Sequence, residues 1–413
     1  MPDPKGGPAP PIAIISDRGA ARLRAGHAWV YRAELLGFEG GVPAAGQAPD
    51  PAVMLRDRRG RELGWADHSE RSQIALRRLT ADASEAVDEA FFHRRLAAAL
   101  AYRDALRLDS TAYRLVAGEA DGLPGWIADR YGDAVVVQTL TPAMELRLPM
   151  LVALLRQTLG PGRIFERNDV KVRRLEGLEL RAGLLATAGE NPAAEAPPGS
   201  EAEATIGGLH LRFDLLGGQK TGGFLDQREN WAAAAAYAHP GSEALDAFCY
   251  QGGFALHLAR RGARVEAADL SRPALELADA NAQRNGLENI EFTEANAFDL
   301  LRHYDETGRR FDLIVLDPPA FAKNRSALPA AARGYKEINL RAFRLLRPGG
   351  VLVSCSCAHH VSADALQGWI GAAAADARRE VALLERRGQA RDHPVLLAMP
   401  ETEYLKCFIF RVR

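Results

Sequence analysis

The sequence predicts an α/β protein in which a small β-barrel domain and a central α+β domain precede a doubly wound parallel sheet. Three observations support this prediction. Short alternating apolar runs separated by turn residues occupy residues 11 to about 80. Apolar residues at helical spacing follow at 86–108, then strand-like runs at 113–117, 134–140 and 162–167, with a second helix at about 145–159. From about residue 217, near-continuous apolar runs alternate with helical stretches, which is typical of a parallel sheet covered on both faces, and Tyr404 to Val412 is expected to add a reversed strand at its edge.

These patterns divide the chain into four segments. We expect a disordered tail at 1–10, the β-barrel at 11–80, the central domain at 81–216 and the doubly wound domain at 217–413. The tail begins MPDPKGGPAP and lacks the apolar core of a signal peptide. Within the central domain, residues 188–203 have the linker-like composition AGENPAAEAPPGSEAE, which predicts an exposed loop.

Composition and charge exclude several classes of protein. Hydrophobic residues make up 47% of the 413 residues and charged residues 25%, as is usual for globular proteins. No stretch of about 18 uncharged apolar residues occurs, so we expect no membrane partner and a cytoplasmic location. Lys and Arg total 52 against 53 for Asp and Glu, so affinity for nucleic acid must come from local patches.

The four cysteines are expected to be free thiols, because a cytoplasmic chain seldom keeps disulfides. Cys355 and Cys357 are followed by His359 and His360, but no second Cys or His pair stands at zinc-finger spacing. We therefore predict no metal site.

The first domain is rich in arginine. Each arginine taken singly is explained by a solvated surface, whereas the group on one small domain indicates phosphate binding. From this group we select Arg56, Arg58 and Arg61 as candidate RNA-binding residues.

The first strand of the doubly wound domain leads into a candidate cofactor turn. In such sheets ligands lie at the carboxyl ends of the strands. The residues at this point are DAFCYQGGF, and the candidates among them are Asp246, Phe248, Tyr250 and Gly252. Adjacent glycines let the backbone approach a ligand closely before the next helix begins.

The next two strand ends add further candidates. The second strand ends at Asp269 and Leu270, and an acidic side chain there can accept hydrogen bonds from ribose hydroxyls, in S-adenosylmethionine as in NAD. The first turn lacks the G-x-G-x-x-G pattern that seats a pyrophosphate, which favours S-adenosylmethionine. After the third strand, Asn296, Ala297 and Phe298 offer polar and apolar contacts to an adenine, or simply a helix cap and a core aromatic.

The fourth strand ends in Asp317-Pro318-Pro319-Ala320-Phe321. Two prolines cannot continue a helix or a central strand, so they fix the Asp317 carboxylate at the mouth of the sheet. A bare structural turn is the other explanation. Together with the three preceding strand ends, the motif predicts an S-adenosylmethionine-dependent methyltransferase.

The fifth strand indicates which atom receives the methyl group. A nitrogen is already nucleophilic, whereas carbon 5 of a pyrimidine must first be activated by a thiolate added at carbon 6. Cys355 stands at this strand end, facing the substrate opposite Asp317, and is our candidate nucleophile. Small buried cysteines at a strand end are the structural alternative. The sequence does not decide which group removes the carbon 5 proton. The candidates are Cys357, His359, His360 and water.

Several segments together resemble the ribosomal RNA large-subunit methyltransferase I family, over almost the whole chain. The segments that carry this resemblance are 26–31 (GHAWVY), 119–125 (EADGLPG), 219–228 (QKTGGFLDQR), 246–254 (DAFCYQGGF), 317–323 (DPPAFAK), 354–356 (SCS) and 404–406 (YLK).

The resemblance implies an N-terminal PUA domain and a C-terminal Rossmann-like domain that makes 5-methylcytosine in 23S ribosomal RNA. It also implies that Phe224, Asp226 and Arg228 frame the cofactor or substrate pocket. Two alternatives stay open, namely an RNA nitrogen methyltransferase that uses Asp-Pro-Pro without a nucleophile and a non-catalytic RNA-binding or ribosome assembly factor. An NAD-dependent oxidoreductase is disfavoured by the missing glycine pattern. A homodimer is neither required nor excluded by the sequence.

Overall fold

A computed structural model of the chain describes residues 10–41, 52–187, 199–322 and 324–413. The predicted tail, apart from residue 10, and most of the predicted loop at 188–203 lie outside these ranges. Glu201 to Glu203, which the loop prediction included, instead begin a strand. The chain forms two compact units: the first comprises Met1–Ala202, Asp214–Gly222 and Asp392–Thr402, and the second comprises the rest. The domain boundaries at 80/81 and 216/217 stay predictions.

The first unit begins with a six-stranded sheet in the order β2-β6-β5-β4-β1-β3. Strands β1 and β4 are parallel and the other neighbours antiparallel. Apolar side chains such as Ile15, Leu55 and Leu76 are fully buried in its core. The elements are β1 (Ile12–Ile15), α1 (Asp17–Arg24), β2 (Trp29–Tyr31), β3 (Leu35–Glu39), β4 (Ala52–Asp57), β5 (Glu62–His68) and β6 (Ile74–Thr80).

A five-stranded sheet in the order β11-β10-β9-β8-β7 completes this unit. Strands β9 and β10 are parallel and are connected through helix α3, which Thr141 caps and Gly160 ends in the left-handed conformation. Trp126 and Phe91 are fully buried here. The elements are α2 (Glu89–Leu106), β7 (Ala112–Ala117), β8 (Trp126–Tyr131), β9 (Ala134–Thr139), α3 (Pro142–Leu159), β10 (Arg163–Asn168), α4 (Val172–Leu175) and β11 (Arg181–Thr187).

Two paired strands, β12 (Glu201–Ile206) and β13 (Leu209–Asp214), precede the large sheet. Helices and strands then alternate, as the apolar runs predicted. These elements are α5 (Arg228–Ala235), β14 (Glu243–Asp246), α6 (Gly253–Arg260), β15 (Arg264–Asp269), α7 (Arg272–Arg284), β16 (Ile290–Glu294), α8 (Ala297–Thr307), β17 (Phe311–Leu316), α9 (Leu328–Leu345), β18 (Leu346–Ser356), α10 (Ala363–Asp376), β19 (Val381–Arg387) and β20 (Lys406–Val412).

The large sheet has seven strands in the order β16-β15-β14-β17-β18-β20-β19. Strands β14 to β18 are parallel, and β20 runs antiparallel to both of its neighbours. The order reverses between β14 and β17, so their carboxyl ends flank the crevice where doubly wound sheets bind ligands. Tyr335 and Phe343 on α9 are fully buried against the sheet. The predicted α/β class with a doubly wound domain is confirmed.

The last strand departs from the sequence prediction in one respect. The segment ending at Val412 was expected to be a reversed edge strand, and β20 is indeed reversed. It is not at the edge, because β19 pairs with its outer side. Among the residues that the structure describes, no helix is long and apolar enough to cross a membrane.

Candidate active site

Asp246 ends strand β14 and is completely buried. Its Oδ2 accepts a hydrogen bond from the backbone N–H of Ala255, at 3.1 Å. Its buried Oδ1 has no hydrogen-bond partner of good geometry among the described residues. Burial raises the pKa of this carboxyl to about 8, and the charges of Asp317 and Asp269 add to the effect. A positively charged ligand group would be stabilised beside this oxygen.

The turn after β14 is fixed to the end of β15. Tyr250 adopts a positive φ of 47°, and its backbone N–H donates to Oδ2 of Asp269 at 2.9 Å. The other oxygen of Asp269 accepts from the backbone N–H of Ser271, also at 2.9 Å. The Phe224 ring lies edge-on to Tyr250, with centroids 5.1 Å apart. The structure therefore brings together Phe224, Tyr250 and Asp269, which the sequence analysis named separately.

The two glycines of this turn serve packing within the chain. Gly252 precedes helix α6 and has a φ of 79°. Residues other than glycine rarely adopt this backbone conformation. A Cβ on Gly253 would lie 2.4 Å from the Trp231 ring. At Gly253 the group that approaches the backbone is an aromatic ring of helix α5, and the approach of a ligand to this turn stays a prediction.

At the end of the third strand, the structure shows a helix cap and a packed aromatic ring, which was the alternative to contacts with an adenine. Oδ1 of Asn296 accepts from the backbone N–H groups of Phe298 and Asp299 and caps helix α8. Phe298 packs near Phe321, with ring centroids 5.8 Å apart, and Ala297 is buried. Leu270, by contrast, is 66% exposed directly after Asp269, which suits an apolar contact to a flat ligand. Phe248, in the first turn, is half-buried.

Asp317 follows strand β17, and Cys355 is the penultimate residue of its parallel neighbour β18. Nε2 of Gln227 donates to Oδ2 of Asp317 at 2.9 Å. Gln227 lies in the single helical turn Leu225–Gln227. The sequence analysis did not select it, although it stands within the 219–228 segment.

Cys355 is more enclosed than the sequence analysis expected. Its side chain is 0% exposed and lies opposite Cys407 of β20, so in this conformation it does not face a substrate at the surface. Burial raises the pKa of the Cys355 thiol well above its usual range, and Cys407 and Asp317 act in the same direction. Attack by this thiol therefore requires a proton acceptor and a movement that admits the substrate.

The candidate bases follow the same strand. Cys357 is half-buried. Burial lowers the pKa of His359, and the charge of Lys406 lowers it further, which favours the neutral imidazole that accepts protons. Lys406 donates to the carbonyl of Ala358 at 2.7 Å, and burial lowers its own pKa to about 8.

Asp226 and Arg228 are buried on either side of Gln227. The hydroxyl of Tyr404 donates to Oδ2 of Asp226 at 2.8 Å, and the backbone N–H of Ala390 donates to its carbonyl. These bonds hold the single helical turn that presents Gln227 to Asp317. The resemblance assigned Phe224, Asp226 and Arg228 to the pocket. All three lie in the helical turn Leu225–Gln227 or directly beside it.

The candidate RNA-binding arginines surround the turn between β4 and β5. Arg61 pairs with Asp57 at 2.8 Å, and Arg56 pairs with Glu39 at 3.1 Å. Arg58 is exposed at the tip of the turn. Two of the three guanidinium groups therefore already contact carboxylates.

The residues at the strand ends fit S-adenosylmethionine. The unsatisfied Oδ1 of Asp246 suits a cationic group, the two oxygens of Asp269 suit a ribose, and exposed Leu270 suits an adenine. No group of three or more His, Cys, Asp or Glu side chains among the described residues is arranged to hold a metal ion.

Two protein-family descriptions match the sequence. A methyltransferase domain matches residues 238–391, and a PUA-like domain matches residues 13–81. The second match confirms the PUA-like first domain that the resemblance implied.

Curated relatives match nearly the full length. The ribosomal RNA large subunit methyltransferase I of Photobacterium profundum is 42% identical over 396 residues, which cover 95% of this chain and 96% of the relative. The protein of the same name from Tolumonas auensis is 42% identical over 405 residues, covering 97% and 98%.

Solved structures share the fold. A chain described as a methyltransferase, complexed with SAH, aligns with a TM-score of 0.80 and 20% identity and covers 97% of this chain and 100% of its own. A chain described as a SAM-dependent methyltransferase from Streptococcus mutans gives a TM-score of 0.78 at 20% identity and the same coverage. With identity above 40% to both curated relatives along nearly their whole length, the chain belongs to the ribosomal RNA large subunit methyltransferase I family.

Proposed function

We propose that the chain transfers a methyl group from S-adenosylmethionine to carbon 5 of a cytosine in 23S ribosomal RNA, through a covalent adduct with Cys355. The observation that carries this proposal is the position of Asp317 and Cys355 at the carboxyl ends of two neighbouring parallel strands, where Gln227 donates a hydrogen bond to Asp317. Ribosomal RNA of the large subunit is named for the curated relatives, and the PUA-like domain supplies a second candidate RNA surface.

The first half of the reaction forms a bond between sulfur and carbon 6. The Cys355 thiol gives its proton to the Asp317 carboxylate as the sulfur attacks, so no free thiolate has to accumulate where burial raises the pKa of the thiol. As Sγ adds to carbon 6, the electron pair of the ring moves to N3, which takes the proton from Asp317. Carbon 5 becomes nucleophilic as a result, and S-adenosylmethionine, when bound, supplies the methyl group that carbon 5 takes.

The second half releases the product. A base removes the proton from carbon 5, the bond between carbon 6 and Sγ breaks, and the double bond of the ring forms again. The N3 proton returns through Asp317 to the sulfur of Cys355. The neutral form of His359 is favoured by its lowered pKa, and Cys357, His360 and water remain the other candidate bases.

Replacement of the two neighbouring cysteines tests this proposal. Cys355→Ala should lower methylation of large-subunit ribosomal RNA by more than about 1,000-fold, because the nucleophile is lost, while binding of S-adenosylmethionine in calorimetry persists. Cys357→Ala is the matched control at the same strand end and should keep the covalent step. Mass mapping of the RNA identifies the methylated nucleotide. Full activity of Cys355→Ala would rule out the adduct.

A nitrogen methyltransferase is the second candidate, and the burial of Cys355 favours it. In that reaction Asp317 would accept a hydrogen bond from an exocyclic amine, and no thiol would be needed. A methylated nitrogen in the mapped RNA, with activity retained by Cys355→Ala, would establish this alternative. A non-catalytic assembly factor would show no cofactor binding.

Arg58 and Arg61 are exposed and Arg56 is half-buried among the candidate RNA contacts of the PUA-like domain. Arg56 and Arg61 would have to exchange their carboxylate partners for phosphates, so we assign them weaker contributions. The homodimer left open by the sequence has no support among the described residues.

A further inference from the structure

Gln227 stands at the end of a chain of side-chain hydrogen bonds. Its Nε2 donates to Asp317, and its Oε1 accepts from Nδ2 of Asn230 at 2.7 Å. Oδ1 of Asn230 in turn accepts from Nε of Arg387 at 2.9 Å. Gln227 and Asn230 are 2% and 1% exposed, so neither amide can exchange its partner for bulk water.

The direction of this chain is fixed at both ends. A guanidinium group can only donate, so Asn230 must turn its oxygen toward Arg387 and its nitrogen toward Gln227. Gln227 must then accept with its oxygen and present its NH₂ group to Asp317, which as a carboxylate can only accept. Neither amide can flip without losing a hydrogen bond in a buried position.

The remote end is anchored on the edge strand of the sheet. Arg387 donates to Glu385 at 2.7 Å, and Glu385 also accepts from the Tyr237 hydroxyl at 2.6 Å. Asn230 has a second bond, from Nδ2 to the carbonyl of Gly388 at 3.0 Å. These contacts involve strand β19, helix α5 and the segment after β19, so three parts of the chain hold the two amides in place.

We propose that Gln227 is a positioning residue, which uses its amide NH₂ group to hold the Asp317 carboxylate in the geometry for proton transfer from Cys355, and that Asn230 and Arg387 fix its orientation. This inference rests on the function proposed above. A neutral donor suits the task, because it stabilises the ionised carboxylate and has no proton to lose near neutral pH. The proton can therefore pass between Cys355 and Asp317 without being captured by Gln227.

The first test removes the amide without changing the size of the side chain much. Gln227→Leu should lower kcat about 100-fold, because misplacement of reacting groups has effects of that order, while KM for S-adenosylmethionine changes less than twofold. The matched control is Gln138→Leu in the first unit, since Gln138 is also buried and donates one bond, to the carbonyl of Arg167 at 2.7 Å. The control should keep its kcat at a temperature where both variants are folded.

A second variant guards against a purely structural explanation. Gln227→Glu keeps the bond from Asn230 but places a carboxylate beside Asp317, and like charges raise each other's pKa. The acid limb of the kcat–pH profile should move upward by about one pH unit. Arg387→Met should give a smaller loss of kcat in the same direction as Gln227→Leu, because the two amides lose their fixed orientation. A residue with only a structural role would leave the profile in place.

Covalent trapping separates this inference from the proposed function. A large-subunit ribosomal RNA transcript made with 5-fluorocytidine should trap the adduct, since fluorine on carbon 5 cannot leave as a cation. Wild-type protein should form the adduct and Gln227→Leu should form it about 100-fold more slowly. Equal rates of adduct formation, or an unchanged kcat in Gln227→Leu, would overturn the positioning role. No adduct with the wild-type protein, together with an active Cys355→Ala variant, would overturn the proposed function instead.

Discussion

At the scale of single residues, the raised pKa of Asp246 predicts that cofactor binding depends on protonation. Its carboxyl is buried near two other acidic side chains, and its pKa of about 8 means that it carries a proton at neutral pH in the chain without ligand. A cationic ligand beside its Oδ1 would favour the ionised form, so binding would release that proton.

We therefore predict that affinity for S-adenosylmethionine rises with pH between about 6 and 8 and is constant above. Affinity rises with pH because, below the pKa of Asp246, the free protein must lose a proton in order to bind. This loss lowers the affinity by at most tenfold, about 1.4 kcal/mol, per pH unit. Calorimetric titrations from pH 6 to 9 measure this dependence. Asp246→Asn, which cannot ionise, should bind more weakly and with a flat profile. Equal affinity of the wild-type protein at pH 6 and 8 would contradict the prediction.

The residues of the site differ in how far the sequence could predict them. Asp246, Asp269 and Asp317 could be selected because each ends a recognisable apolar strand. Gln227 could not, because it lies in a short turn without periodicity and its role depends on contacts with Asp317 and Asn230. Asn296 was ambiguous, since the same residue type caps helices and contacts ligands, and its oxygen in fact caps α8.

At the scale of elements, helices α5 and α6 depend on one close contact. Trp231 of α5 lies against the backbone of Gly253, where a Cβ would be 2.4 Å from the ring. The Trp231 ring also lies 5.5 Å from that of His257 on α6. The start of α6 is therefore shaped by packing as well as by the cofactor turn that precedes it.

Gly253→Ala should destabilise the protein by about 1–3 kcal/mol, because the added methyl group overpacks the contact with Trp231. Denaturant unfolding measures the effect. Gly371→Ala, on helix α10, provides a control of opposite sign: nothing lies within 4 Å of its added Cβ, and alanine is the better helix former by roughly 0.5–1 kcal/mol. If Gly253→Ala were neutral, the close contact would not constrain the helix.

Elements with regular patterns were predictable and the others were not. The helix expected at 86–108 is α2, and the last strand was found with its reversed direction. Strand β19 was missed because its sequence, VALLERR, suits a helix and only pairing with β20 makes it extended. Strand β8 was missed because Asp129 interrupts its apolar pattern, although that carboxylate is buried in a pair with Arg114.

At the scale of the whole molecule, the two compact units are not contiguous in sequence. Residues Glu203–Phe213 belong to the second unit, although the predicted boundary at 216/217 assigns them to the central domain. Asn281 explains their assignment, because it exchanges two hydrogen bonds with the backbone of Arg212, at 2.8 and 3.0 Å. Asn285 does the same with His210.

A fragment of residues 203–413 should accordingly unfold at a higher temperature than one of 217–413. The shorter fragment loses the two hydrogen bonds between Asn281 and the backbone of Arg212, each worth about 0.5–1.5 kcal/mol. Circular dichroism melts compare the two. Identical melting of both fragments would support the boundary at 216/217.

The central place of β20 has a consequence for synthesis of the protein. This strand follows all the others of the large sheet in chain order, yet it lies between β18 and β19. A nascent chain that has emerged only as far as β19 therefore exposes the unpaired side of β18, including the backbone around Cys355. The pairing of β18 with β20, which places Cys355 opposite Cys407, cannot form until β20 has been synthesised.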